Sequence, residues 1–136
     1  MFETKAKLST VDPVWRRVCE EADEAIRSEP LLGGLIHSGL LHHSSLERAL
    51  AYRFSLKLAS GEMSEQILRE IADEAYASAP EIGAAARSDL MAVYERDPAC
   101  HRFLQPILFF KGFQAVQAYR IGHWLWQTGR KDLAYF

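Results

Sequence analysis

Cysteine is scarce: Cys19 and Cys100 are the only two in 136 residues and stand far apart without CxxC spacing. A disulfide-stapled scaffold is therefore excluded, and reduced thiols in a reducing compartment are the simpler reading. Basic excess is missing too. Sixteen Lys and Arg against 18 Asp and Glu give a formal net charge of −2, without the clustered cations that attract a phosphate backbone. Nucleic acid is not expected as a partner. No apolar run approaches the roughly 20 residues needed to span a bilayer, and residues 1–10 lack the apolar stretch of a secretory signal. No membrane partner is expected, and a cytoplasmic location is the default. Period-two alternation, internal repeats and low-complexity linkers are also wanting, which removes sheet and solenoid architectures. What remains is an ordinary globular balance, 49% apolar and 25% charged, at a length suited to one domain. A flexible N-terminus over 1–10 and a single helical domain over 11–136 are expected.

Helical periodicity fills the rest. Asp12-Pro13 suits a helix start, because Asp accepts from free N–H groups and Pro at the first position forfeits no needed donor. Val14, Val18, Ala22 and Ile26 then share one face, and Glu29-Pro30 ends the run, since the residue before Pro disfavours helical geometry. A second helix is expected to carry Leu31, Leu32, Leu35, Ile36 and Leu40, with Gly33, Gly34 and Gly39 permitting close approach. Ser44-Ser45-Leu46-Glu47 fits a capping box with Ser44 as cap and Glu47 as its reciprocal partner. Leu46, Leu50, Phe54 and Leu58 give the third stripe, stopped by Ser60-Gly61. A fourth helix begins near Ser64 and buries Ile67 with Leu68, Ile71 with Ala72, and Ala75 with Tyr76. Pro80 opens a fifth, with Ile82, Ala86, Leu90 and Val93 inward, and Asp97-Pro98 closes it. Periodicity lapses between 99 and 106, then returns from 109 to 127 with many aromatics. The pattern predicts an all-α fold of about six or more helices.

On the last helix Ala115, Ala118, Tyr119, Gly122, Leu125 and Trp126 share a face of small and large residues suited to a partner helix. Phe113, Val116 and Trp124 make the opposite side apolar as well, as expected of a helix between two packed bodies. Leu133 to Phe136 continue the apolar pattern with no Gly or Asn stop, so the last helix reads as unfinished at Tyr135-Phe136.

Chemistry-bearing constellations are few. His42-His43, with His37, His101 and His123 elsewhere, lacks the i, i+4 spacing of a helical metal pair, so no metal is expected. No GxSxG elbow accompanies the serines, and a Cys–His pair would require remote residues to meet. Arg96-Asp97-Pro98-Ala99 is the most informative polar site because it lies between a helix and an irregular segment. Asp before Pro commonly caps a helix or shapes a turn; the functional alternative is that the Asp97 carboxylate holds a cationic substrate group by a charge-assisted hydrogen bond.

Lys111-Gly112-Phe113-Gln114-Ala115-Val116-Gln117-Ala118-Tyr119-Arg120-Ile121-Gly122-His123-Trp124-Leu125-Trp126 closely resembles the KGFHALQAYRIGHWLW signature of bacterial serine O-acetyltransferases. Leu41-His42-His43, Glu74-Ala75-Tyr76, Ala79-Pro80-Glu81 and Arg96-Asp97-Pro98-Ala99 resemble that family's N-terminal helical domain in the same order. Gln114, where histidine is common, and Phe109-Phe110, where tyrosine and leucine are common, are mild departures. The resemblance implies acetyl transfer from acetyl-CoA to the L-serine hydroxyl, giving O-acetylserine for cysteine biosynthesis. It also implies a second domain, a left-handed β-helix of hexapeptide repeats that supplies the trimer, the acetyl-CoA site and the catalytic histidine. No such repeats occur in this sequence, so the chain is expected to hold no catalytic residue and no cofactor site, to be truncated before the β-helix, and to be inactive alone. Asp97 matches the family's substrate aspartate and is expected to hold the ammonium of L-serine, or of inhibitory L-cysteine. His123 is expected to pack rather than react. The resemblance further implies self-association within a dimer of trimers, and no binding to cysteine synthase, which the family contacts through a distant C-terminal tail. The alternative is a stand-alone, non-enzymatic helical interaction module.

Overall fold

The structure, a computed structural model, describes residues 12–136; the stretch 1–10, read as a flexible N-terminus, lies outside the described residues. These fold into eight α-helices without strands: α1 Pro13–Ser28, α2 Gly33–Ile36, α3 Leu46–Leu58, α4 Glu65–Ser78, α5 Pro80–Arg96, α6 Leu104–Phe109, α7 Lys111–Gln127 and α8 Lys131–Tyr135. The all-α expectation holds. Local capping works as read at three starts. Asp12 accepts from Trp15 N–H with Pro13 next to it, Ser64 accepts from Ile67 N–H, and Pro80 occupies the first position of α5.

The predicted second helix is a composite. A 3₁₀ turn over Pro30–Leu32 leads into α2, and a π-turn over His37–Leu41 comes next. Ile36 and Leu40 are buried as expected, but Leu31 is 92% exposed. Of the three glycines only Gly39 faces a close neighbour, Leu108 at 3.6 Å. The helix cap lies one residue later than read. Ser45, not Ser44, caps α3 by accepting from Arg48 N–H, and Glu47, read as the reciprocal half of a capping box, pairs with Arg87 on α5.

α3 and α4 form the most extensive helix pair, and α7 rests on α3, α4, α5, α6 and α8. Its buried residues are Phe113, Gln117, Ile121 and Leu125, spaced by four. Most of the predicted partner face stays open, with Tyr119 at 68% and Trp126 at 42% exposure. Ile121, fully buried at the centre of that contact, is the side chain whose loss would leave a cavity costing about 2–5 kcal/mol.

Two boundaries differ from the sequence expectation. α6 occupies part of the supposed irregular connector, since Pro106 stands third in the helix, where a missing N–H costs nothing. The long helix also has a glycine stop. Gly129, at φ 84°, lets its N–H reach Trp126 O at 3.2 Å and Arg130 N–H reach Leu125 O at 2.9 Å, both bonds of a Schellman motif. The chain then folds back into α8, where Tyr135 meets Trp126 edge to face at 5.6 Å.

Candidate functional site

Asp97 ends α5. Its own N–H donates to Val93 O at 2.9 Å, and its carbonyl accepts from Cys100 N–H at 2.9 Å. Side-chain Oδ1 accepts from Ala99 N–H at 2.9 Å. This is the turn-shaping role anticipated for Asp before Pro. It uses one carboxylate oxygen. Among the described residues Oδ2 accepts no hydrogen bond, and Asp97 is exposed, beside an open hollow of about 450 Å³ lined by Ala92, Val93, Arg96 and Pro98. The turn role and a ligand role are thus compatible.

The segment leading from this turn into α6 is braced from several sides. Gln105 Oε1 accepts from the N–H groups of His101 and Arg102, and Glu21 Oε1, on α1, accepts from Leu104 N–H at 3.1 Å. Glu21 thereby satisfies the first N–H of α6, which the helix itself leaves free, while Gln105 ties down the two residues that lead into it. Glu21 is itself only 8% exposed and is met by Arg17 Nε at 3.4 Å. The Arg17 guanidinium in turn lies over the rings of Phe103 and Tyr94 at 4.5 and 4.8 Å and donates to Tyr94 Oη. Sequence reading overlooked Glu21, Gln105 and Arg17. The available signal was Glu21 itself, a charged residue between Val18, Ala22 and Ala25 on the buried face of α1.

The position of α5 is set by two polar clusters. Arg87 donates to Asp12 Oδ2 at 2.6 Å, to Glu47 Oε1 at 2.5 Å and to Gly83 O at 3.0 Å, tying α1, α3 and α5 together. Burial alone would raise the Asp12 carboxyl. The Arg87 hydrogen bond, the Trp15 N–H and the Arg87 charge outweigh it and hold Asp12 below its ordinary value of 3.8. Gly83 makes room: a Cβ there would sit 3.0 Å from Glu47 Cγ. Farther along α5, Asp89 accepts from Gln117 Nε2 at 2.8 Å and from Arg120 at 2.9 Å, fixing α5 on α7.

The histidines do not converge. Among the described residues no group of three His, Cys, Asp or Glu side chains could hold a metal. His43 is buried, with Nε2 on Ser38 O at 2.9 Å and Nδ1 facing Arg69 at 3.5 Å; burial, then the Arg69 and His42 charges, push its pKa down. His123 stacks on Tyr119 at 5.8 Å, a packing contact. A larger concavity than the one beside Asp97, about 550 Å³, lies away from it, among Phe54, Ile71, Gly122, Trp126 and Leu133. Its walls are apolar, so size alone does not make it the chemical site.

Fold and site together define an all-helical domain that presents one half-used carboxylate on a braced turn. The family model described as the N-terminal part of serine acetyltransferase matches residues 14–118. The chain belongs to that family. It is 47% identical over 123 residues to a serine acetyltransferase of Salmonella typhimurium, a match covering 90% of this chain and 45% of the relative. A Brucella abortus serine acetyltransferase solved with coenzyme A superposes with a TM-score of 0.88 at 43% identity, covering 94% of this chain and 51% of that one. A Neisseria gonorrhoeae serine acetyltransferase solved with serine gives 0.86 at 45% identity, covering 90% and 51%. The chain thus spans about half the length of the relatives it matches. No helix among the described residues is long and apolar enough to cross a membrane.

Proposed function

We propose that residues 11–136 act as the N-terminal assembly and site-completing domain of a cytoplasmic serine O-acetyltransferase, which moves the acetyl group of acetyl-CoA to the L-serine hydroxyl in cysteine biosynthesis. The observation that carries the reading is Asp97: a carboxylate with Oδ1 spent on its own turn and Oδ2 left for a ligand. An ammonium group placed there gains a charge-assisted hydrogen bond. The bracing by Glu21 and Gln105 means that little ordering is needed when substrate arrives. The serine-bound and coenzyme A-bound relatives support this choice of substrates. L-cysteine, sharing the ammonium and carboxylate of L-serine, fits the same Asp97 contact as an inhibitor.

Asp97 positions and does not move protons. The resemblance puts the histidine that takes the hydroxyl proton, and the acetyl-CoA site, in the hexapeptide-repeat β-helix. Self-association through helical faces, joining trimers in pairs, is the assembly part of the proposal; the chain binds no cofactor and does not bind cysteine synthase. The test joins this chain in frame to the remaining part of the Salmonella typhimurium relative and measures thiol release from acetyl-CoA. Serine-dependent release by the joined protein and none by the 136-residue chain is the expected result. Serine-dependent release by the chain alone would overturn the division of labour.

A further inference from the structure

A second hollow, of about 200 Å³, lies between α3, α6 and α7. Its walls are apolar, with Leu50 and Phe54 from α3 and Ile107 from α6, yet three cations line it: Arg53, Lys57 and Lys111. No carboxylate lines it, and none of the three cations has an acidic partner among the described residues. In a chain of net charge −2 that is a local excess of positive charge. Lys111 also begins α7, whose first turn has neither an acidic residue nor a side-chain cap, so the helix dipole adds partial positive charge there.

Among the described residues, two buried polar atoms on residues that line this hollow lack partners. Arg53 donates one NH2 to Leu108 O at 2.9 Å, but its Nε is buried and donates to nothing. Gln117, 4% exposed, gives Nε2 to Asp89, and its Oε1 is buried and accepts nothing. Leaving such groups unpaired costs about 1–3 kcal/mol each. Arg53 thus brings a guanidinium without an acidic partner among the described residues to the wall, which an anionic oxygen complements; Gln117 Oε1 is an acceptor that a carboxylate does not serve, and apolar surface suits the walls. The volume exceeds the roughly 150 Å³ that accommodates a benzene ring, so a ring or a chain of about six carbons fits.

We propose that this hollow binds a small organic carboxylate with an apolar body, its head against Arg53, Lys57 and Lys111 and its tail against Leu50, Phe54 and Ile107. The site shares no residue with the Asp97 hollow and does not rest on the acetyl-transfer reading.

The experiment titrates the 136-residue chain with hexanoate, 1-hexanol and inorganic phosphate, by calorimetry and by amide NMR shifts. Hexanoate, with about eight non-hydrogen atoms, is expected to bind with a dissociation constant of about 1 mM. The shifts should centre on Arg53, Lys57 and residues 111–118. Hexanol and phosphate should each bind at least about tenfold more weakly, because each lacks half of the complement. Lys57→Gln with Lys111→Gln, both at exposed positions, should raise the hexanoate constant about tenfold without moving the thermal midpoint. Hexanol or phosphate binding as tightly as hexanoate, shifts centred elsewhere, unchanged affinity in the double variant, or no hexanoate binding by about 20 mM would each overturn the proposal.

Discussion

Replacing Arg87 by Met keeps most of the side-chain stem and removes the guanidinium that joins three helices. Asp12 and Glu47 would then face each other without the cation that now sits 2.6 and 2.5 Å from them. Removing one partner of a fully buried ion pair costs about 3–5 kcal/mol. Here the side chains of Arg87, Asp12 and Glu47 retain 25%, 24% and 30% of their exposure, so water recovers part of that, and about 2–3 kcal/mol is expected. For a chain of this length that lowers the thermal midpoint by about 8–12 °C. The assay is unfolding monitored by circular dichroism, for the native chain and Arg87→Met, at pH 7 and pH 3. The pH dependence has a definite sign. Asp12 is held below 3.8 in the folded state, so the unfolded chain binds more protons between the two values. Its stabilising contribution is complete above 3.8 and is lost as pH falls through the folded-state value. The gap between native chain and variant should therefore narrow at pH 3. A loss under about 0.5 kcal/mol at pH 7, the size of an ordinary surface change, or a gap equal at both pH values, would refute the reasoning.

Two glycines on or beside α7 should respond in opposite directions to alanine. At Gly122 a Cβ meets nothing within 4 Å, so Gly122→Ala should stabilise by about 0.5–1 kcal/mol; at Gly129, with φ 84°, Gly129→Ala should destabilise by about 1–2 kcal/mol. Urea unfolding of both variants checks the contrast. Glu21→Ala leaves the buried Leu104 N–H unpaired and should cost about 1–3 kcal/mol, with faster amide exchange at Leu104 and Cys100; unchanged exchange would show that Glu21 does not brace the turn. Burial, with Asp23, Asp12 and Glu20 nearby, pushes the Cys19 thiol up to about 11. Its alkylation by iodoacetamide at pH 8 should thus be about a hundredfold slower than that of free cysteine, measured by mass spectrometry.

Features set by neighbours along the chain were legible in the sequence, whereas features set by remote partners were not. Asp12, Ser64 and Pro80 mark helix starts because a cap needs only the next few residues. Ser44 and Ser45 are equally good caps locally, and the structure uses Ser45; the partner of Glu47 is Arg87, 40 residues away, which no local pattern could supply. Pro106 looks like a breaker until it is seen third in α6, where its missing N–H costs nothing and Glu21 serves the N–H of Leu104. The apolar residues after Gly129 disguised a stop that its backbone conformation makes plain. α7 carries aromatics on all sides, so its buried face could not be chosen by composition. Asp89 settles it by giving Gln117 a partner inside. At the candidate site the Asp97 turn was legible from Asp before Pro, but its bracing depends on α1, about 80 residues earlier.

The most direct test of the account is Asp97→Asn in this chain joined to the remaining part of the Salmonella typhimurium relative, with initial rates of thiol release measured against serine concentration. Asn keeps an oxygen for the Ala99 N–H and removes only the charge, so the thermal midpoint should stay in place. KM for serine should rise about tenfold or more, the loss of one charge-assisted hydrogen bond, while KM for acetyl-CoA is unchanged. An unaltered KM for serine would contradict it.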